Sequence, residues 1–343
     1  MNGIEVGIGV VGLGFMGRRY ARFLRQIEGV RLAGVCDLDA GLAREVAAEC
    51  GAPVFSDLDA LVRAPEVAGV IVATPEDRHQ EPCIAALDAG KAVLVEKPIA
   101  HTLAAARAIA AAAERSGAPL LAGHLLRFEP RWVGAWQRIA AGEIGDVISI
   151  ATRRIGNVGD QRVLRGRTSI PLYYGVHDLD VMRWFAGAEA TTIFAQRRSG
   201  VLQAAGYDID DLYCAVLTFA NGVLGSAELG WHVPESAPAA RTAGVLVIGA
   251  KGTIAIDQLE TGLTMWAAGG VDPGMETMFW PEAYGVPGGA FGAEIRHFAA
   301  CVRGEAEAAI SAADAIAALR LSLAMETAAA RGTVVDLKEF GRA

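Results

Sequence analysis

The chain lacks a Cys-x-x-Cys pair, an excess of basic residues, an internal repeat and any apolar run long enough to span a bilayer. Each absence removes a class of function. Its five cysteines (Cys36, Cys50, Cys83, Cys214 and Cys301) are odd in number and scattered, which argues against a disulfide frame or a zinc site and for reduced thiols. Lys and Arg number 31 against 39 Asp and Glu, so the net charge of −8 argues against non-specific nucleic-acid binding. The apolar start "VGIGVVGLG" has no basic flank and no cleavage pattern, so it does not read as a signal peptide. What remains is a 343-residue chain that is 52% hydrophobic, enough for a sizeable core and for two domains. A soluble, ordered, cytoplasmic protein with no membrane partner is expected.

The first 125 residues alternate strand and helix. Val6 to Val11 is a β-branched run that stops at Gly12-Leu13-Gly14-Phe15-Met16-Gly17, and Tyr20, Phe23, Leu24 and Ile27 then recur at helical spacing. A second strand, "VRLAGVCD", ends at Asp37. Glycines between a strand and a helix, with an acid about twenty residues on, form the fingerprint of a dinucleotide site. The glycines allow the tight turn and let backbone N–H groups and the helix dipole meet a pyrophosphate. Asp37 can accept from a ribose and would repel a 2′-phosphate, and Leu38 follows it where an arginine would serve NADP. NAD is therefore expected over NADP.

The alternation continues through a capping box at Ser56-x-x-Asp59, a strand to Ala73 and a helix of about a dozen residues stopped by Gly90. The strand "AVLVE" runs into Lys97-Pro98, and Thr102 and Gly117 bound an alanine-rich helix before a last strand, "PLLAG". This order predicts a doubly wound parallel sheet, whose ligands lie at the carboxyl ends of strands. Thr74-Pro75, Glu96-Lys97 and Gly123-His124 fall there. Beyond residue 124 the pattern changes. A helix ends near Gly142, a strand runs from Asp146 to Ile155, and Asn221-Gly222 and Lys251-Gly252 separate antiparallel runs. A cleft between the two domains is the default substrate site.

Four stretches, "GLGFMG", "ATPEDRHQEPCIAALDAGKAVLVEKPIA", "GHLLRFEPRW" and "GVHDLDVMRW", resemble the Gfo/Idh/MocA oxidoreductase family. The resemblance implies a Rossmann domain (1–124 and about 290–343) and, over 125–289, an α/β domain built on an open, mostly antiparallel sheet. It implies that the final helix returns to the first domain and that the protein is a homodimer or homotetramer. It further implies that Lys97, commonly before a cis peptide, lies beside the nicotinamide and the substrate hydroxyl. His177 is implied to share that hydroxyl. Many members carry an aspartate four residues before this histidine; here the position is Tyr173, followed by Tyr174, and a tyrosine hydroxyl can bond a sugar or the imidazole.

Other residues carry two readings each. His79 reads as a brace of the cofactor loop or as a direct participant, and Glu96 as a brace of Lys97 or of the cofactor amide. His124 and Arg127 line the cleft or tie the domains. Asp178 and Asp180 beside His177 lack the further ligands of a metal site, and no metal is expected. Arg153, Arg154, Arg162, Arg165 and Arg167 read as a solvated loop or as a fork for an anionic substrate, with Arg153 the one expected to point into the cleft. The activity that follows is hydride transfer between a nicotinamide and a secondary alcohol of a sugar, cyclic polyol or derivative. The alternatives are an NAD-dependent glycosidase or lyase working through transient oxidation, and a non-enzymatic NAD-binding regulator.

Overall fold

Five apolar runs of four to seven residues, Val- or Ile-bearing in all but the last, build the first sheet: β1 (Val6–Val11), β2 (Val30–Cys36), β3 (Gly69–Val72), β4 (Ala92–Glu96) and β5 (Leu120–Gly123). All neighbours are parallel, in the order β2-β1-β3-β4-β5. Every residue of β1, β3, β4 and β5 is buried, as expected of strands covered on both faces. The crossovers carry α1 (Phe15–Leu24), α2 (Ala40–Cys50), α3 (Leu58–Arg63), α4 (Gln80–Asp88) and α5 (Leu103–Ser116). Thr102 caps α5 through Ala105 N, and Gly117 ends it in the left-handed region. The capping box at Ser56 is not formed. Asp57 caps α3 instead, accepting from Ala60 N at 2.8 Å, because a carboxylate is the stronger acceptor. The helix after Pro75 is also shorter than expected, a 3₁₀ turn at Glu76–Arg78 and then nine residues.

This computed structural model describes residues 5–164, 166–234, 241–257, 265–267, 270–272 and 278–341. The chain divides into two units, Met1–Phe128 with Phe279–Ile316, and Glu129–Met278 with Ala317–Ala343. The second unit contains α6 (Pro130–Ala140), β6 (Val147–Asn157), the short α7 (Gln161–Leu164) and α8 (Val176–Ala186), the last entered through a π-helical turn at Pro171–Gly175. Then come β7 (Ala190–Arg198), α9 (Val201–Ala204), β8 (Leu212–Phe219), β9 (Leu224–Val233), β10 (Arg241–Gly249), β11 (Thr253–Asp257) and a small pair, β12 (Met265–Ala267) and β13 (Gly270–Asp272). The expected hairpins form at Asn221-Gly222 and Lys251-Gly252, the first with Gly222 at φ 88°.

The chain rejoins the first unit with β14 (Glu282–Ala283), β15 (Val286–Pro287) and α10 (Gly289–Val302). Here the division differs from the expected 290–343. The boundary falls within α11 (Ala312–Arg331), and β16 (Val335–Asp336) pairs with β7 through Val335 and Ile193. The open edge of β7 takes the last strand, so the end of the chain belongs to the second sheet. That sheet has seven strands in the order β11-β10-β6-β9-β8-β7-β16, and only β6–β9 is parallel. Alternate residues such as Ile150, Leu229, Leu217 and Val247 are buried on one face, while Val216, Leu224, Leu246 and Ile248 are exposed on the other. No helix among the described residues is long and apolar enough to cross a membrane.

Candidate active site

Because the first sheet is wholly parallel, all five strands end at one edge. Gly12, Asp37, Ala73-Thr74-Pro75, Lys97 and His124 follow those ends in turn. Gly12 adopts φ 83°, and a Cβ on it would lie 2.5 Å from Thr74 N. A Cβ on Gly17 would fall 1.7 Å from the Gly12 carbonyl, so this glycine lets α1 press against the strand it follows. Gly14, by contrast, would meet nothing within 4 Å, and no side chain caps α1. The free amides of the first turn and the open approach over Gly14 suit a pyrophosphate, with exposed Phe15 and half-buried Met16 at its side. Asp37 accepts from Leu13 N at 2.6 Å through one oxygen and from Asp39 N at 2.8 Å through the other. Each oxygen keeps a lone pair for a ribose hydroxyl. Leu38 beyond it is 92% exposed. These residues fit a dinucleotide.

Lys97 is half-buried, and its bond to Pro98 is cis. His79 lies below this turn, 99% buried, with Nδ1 3.0 Å from the Pro98 carbonyl and Nε2 3.0 Å from the Thr74 carbonyl. The ring thus ties the end of β3 to the turn that carries the lysine. Burial holds its pKa below the usual imidazole value against the pull of the two carbonyls, so the neutral ring donates to one of them. Bracing is the reading that this geometry supports. Glu96 is buried as well; its Oε2 accepts from Lys97 N at 3.2 Å and its Oε1 lies 3.0 Å from the Tyr20 hydroxyl. Burial raises the Glu96 pKa and the charge of Lys97 opposes that rise. His124 is buried at the end of β5, while Arg127 is 3.6 Å from Asp314, an ion pair within the first unit.

In the second unit, Tyr173 and Tyr174 occupy the π-helical turn just before α8, and His177 is half-buried in the first turn of that helix. A Cβ on Gly156 would lie 2.0 Å from the Tyr174 ring, so this position of β6 has room only for glycine. Tyr174 donates to Asp160 at 2.5 Å and packs on Trp231 with centroids 4.6 Å apart; Tyr173 lies 5.4 Å from the same indole. Asp178 and Asp180 point away from metal chemistry. Asp178 is clamped by Arg154 at 2.6 Å, both fully buried, and Asp180 lies 4.0 Å from Arg183. Burial raises the Asp178 pKa despite that guanidinium.

The arginine cluster requires a correction. Arg154, not Arg153, turns inward on β6, on the face shared by Ile150 and Thr152. Arg153 lies on the opposite face, its side chain 65% exposed and paired with Glu228 at 3.0 Å. Arg154 is committed to Asp178 and Arg167 is exposed, so the three described arginines of the cluster do not gather into one fork. The side chain of Arg162 and the whole of Arg165 lie outside the described residues.

Sequence reasoning missed Asp160, Trp231 and Glu294. Glu294 Oε2 is 2.9 Å from the Tyr20 hydroxyl, which places two buried carboxyls on one phenol. A signal was present for Glu294 alone: it occupies the apolar stripe of α10 between Phe291 and Phe298.

Comparison with known proteins finds a match for each half of the chain. The model of the oxidoreductase family's NAD-binding Rossmann fold matches residues 6–124, and that of its C-terminal alpha/beta domain matches residues 137–337. Inositol 2-dehydrogenase 2 of Saccharopolyspora erythraea is 36% identical over 236 residues, covering 66% of this chain and 67% of the relative. The scyllo-inositol 2-dehydrogenase (NAD(+)) of Bacillus subtilis is 29% identical over 345 residues, 97% of this chain and 96% of its own. Among solved structures, the scyllo-inositol dehydrogenase of Lactobacillus casei with bound NAD(H) and scyllo-inositol superposes with a TM-score of 0.83 at 22% identity, covering 98% of this chain and 100% of that one, a likeness of fold. With both halves matched, the chain belongs to the Gfo/Idh/MocA oxidoreductase family.

Proposed function

We propose that the protein is an NAD-dependent dehydrogenase that oxidises a secondary alcohol of a cyclic polyol or sugar. The observation that carries this reading is the Glu96-Lys97-Pro98 turn, which ends β4 on the same sheet edge as the glycine turn. NAD, when bound, supplies the hydride acceptor. The backbone amides of the first turn of α1 hold its pyrophosphate, and Asp37 takes the adenosine ribose while repelling a 2′-phosphate. Lys97 Nζ accepts the proton of the substrate hydroxyl, a task open to a lysine held half-buried at the end of β4. The family resemblance makes His177, at the start of α8, the second unit's candidate for handling that proton, and Tyr173, in the π-helical turn before it, stands where many members carry an aspartate and can bond an imidazole or a sugar. The names of the relatives favour inositols as the substrate class.

The exposed face of the second sheet supports a homo-oligomer. Val216, Leu224, Leu246 and Ile248 present apolar side chains there, a surface suited to a second copy. Five free cysteines support a reducing, cytoplasmic setting. The deciding experiment is a screen of inositols, neutral sugars and uronates with NAD and NADP, read by NADH or NADPH absorbance. Stoichiometric NADH from a neutral cyclic polyol is expected. Product without net NADH would favour transient oxidation instead, and binding of NAD without turnover on any alcohol would favour a regulator.

A further inference from the structure

Three buried groups beneath Lys97 have no place in the reaction described above. The Tyr20 hydroxyl on α1 lies 3.0 Å from Glu96 Oε1 on β4 and 2.9 Å from Glu294 Oε2 on α10. A phenol has one hydrogen. It can donate to one carboxylate but must accept from the other, so two such bonds require one of the carboxyls to be protonated. Two carboxylates on one phenol, all three buried and Tyr20 and Glu294 almost completely so, cannot both remain ionised. The asymmetry between them comes from Lys97. Glu96 Oε2 accepts the Lys97 backbone N–H at 3.2 Å, and the ammonium charge favours the Glu96 anion. Glu294 has no cation among the groups that shift its titration, and burial together with the charge of Glu96 raises its pKa well above the carboxylate range. The groups that face Glu96 are therefore Lys97 on its own strand, Tyr20 and Glu294, while β5 presents Gly123 on the other side.

We propose that Glu294, Tyr20 and Glu96 form a buried relay that keeps one proton on Glu294 and a negative charge on Glu96, directly beneath Lys97. Glu294 donates to the Tyr20 oxygen, and Tyr20 donates to Glu96. The anion at Glu96 then sets how tightly Lys97 holds its own proton. Tyr20 and Glu294 are positioning residues, since they act on the lysine through Glu96. This inference rests on the reading of Lys97 as the proton acceptor and adds the device that tunes it.

The test uses the full chain without cofactor or substrate. The reactivity of Lys97 toward acetic anhydride is followed by mass spectrometry as a function of pH. Glu96→Gln should lower the midpoint of Lys97 labelling by about one pH unit, because it removes the anion next to the lysine, and Tyr20→Phe should lower it by less, because it withdraws only the hydrogen bond that stabilises that anion. Glu294→Gln, which donates to Tyr20 as the protonated acid does, should leave the midpoint in place. An unchanged midpoint in both of the first two variants, or an equal fall in Glu294→Gln, would overturn the relay. Infrared spectroscopy supplies a second arm that needs only the isosteric variant. The difference spectrum between the wild-type chain and Glu294→Gln should show the loss of one protonated-carboxyl carbonyl stretch; a difference spectrum without that loss would overturn the proposal. Neither readout requires turnover, so a failure to oxidise any polyol would count against the dehydrogenase reading and leave these results standing.

Discussion

The two sheets solve burial in opposite ways. The parallel sheet of the first unit is covered on both faces, and its chemistry gathers at the ends of its strands, where the backbone emerges from the core. The sheet of the second unit is covered on one face only, and its residues are sorted by parity. Arg154 and Arg153 are neighbours in sequence, yet one is locked to Asp178 in the interior and the other meets Glu228 in solvent. Position along the strand decides function in the first sheet; position across it decides function in the second.

Four measurements would break or sharpen this contrast. The largest effect belongs to a strand end. Lys97→Met should bind NAD with little change in affinity, measured by calorimetry, while kcat falls about a thousandfold, near 4 kcal/mol of barrier. Near-normal turnover would remove the strand-end lysine from the chemistry. Next comes the inward arginine. Arg154→Ala leaves Asp178 buried without its guanidinium and should cost about 3 kcal/mol in denaturant unfolding.

A smaller effect distinguishes the buried acids of the first unit. Glu294 has its pKa raised on folding, so the native state holds a proton that the unfolded chain releases. Its contribution to stability is complete below about pH 4.3, the ordinary value for a glutamate, and declines as the pH rises toward the folded value. Unfolding free energy between pH 5 and 8 should therefore fall less steeply in Glu294→Gln, by up to about 1.4 kcal/mol per pH unit. Parallel slopes would mean that Glu294 is ionised in the native state. The smallest effect is expected at the outward arginine, where Arg153→Ala should cost less than about 1 kcal/mol because its partner is solvated and screened. A cost equal to that of Arg154→Ala would undo the argument from parity.

Strand ends were legible in the sequence because buried parallel strands are short apolar runs whose limits are marked by Gly, Asp, Pro or a charge. Lys97 and the glycine turn stand out for that reason. Parity was harder. Alternation along β6 shows that Arg153 and Arg154 face opposite sides, but only the packing of α8 and the π-helical turn decides which side is inward, and a one-residue error reverses both. Helical spacing likewise found that Tyr20 is buried, while its partner Glu294 lies 274 positions further along the chain, beyond any local pattern. The return of β16 to β7 is a similar case, since two residues of strand carry almost no periodic signal.

The double engagement of Asp37 has a consequence for redesign. One of its oxygens holds the amide of Leu13, inside the glycine turn, and the other holds the start of the connection to α2. Exchanging this acid for a neutral or basic residue, the obvious route to accepting a 2′-phosphate, would also release the glycine turn at the end of β1. Nucleotide choice and loop rigidity are thus inherited together at this position. A successful switch of cofactor would have to supply Leu13 with a new acceptor before it supplied the phosphate with a new cation.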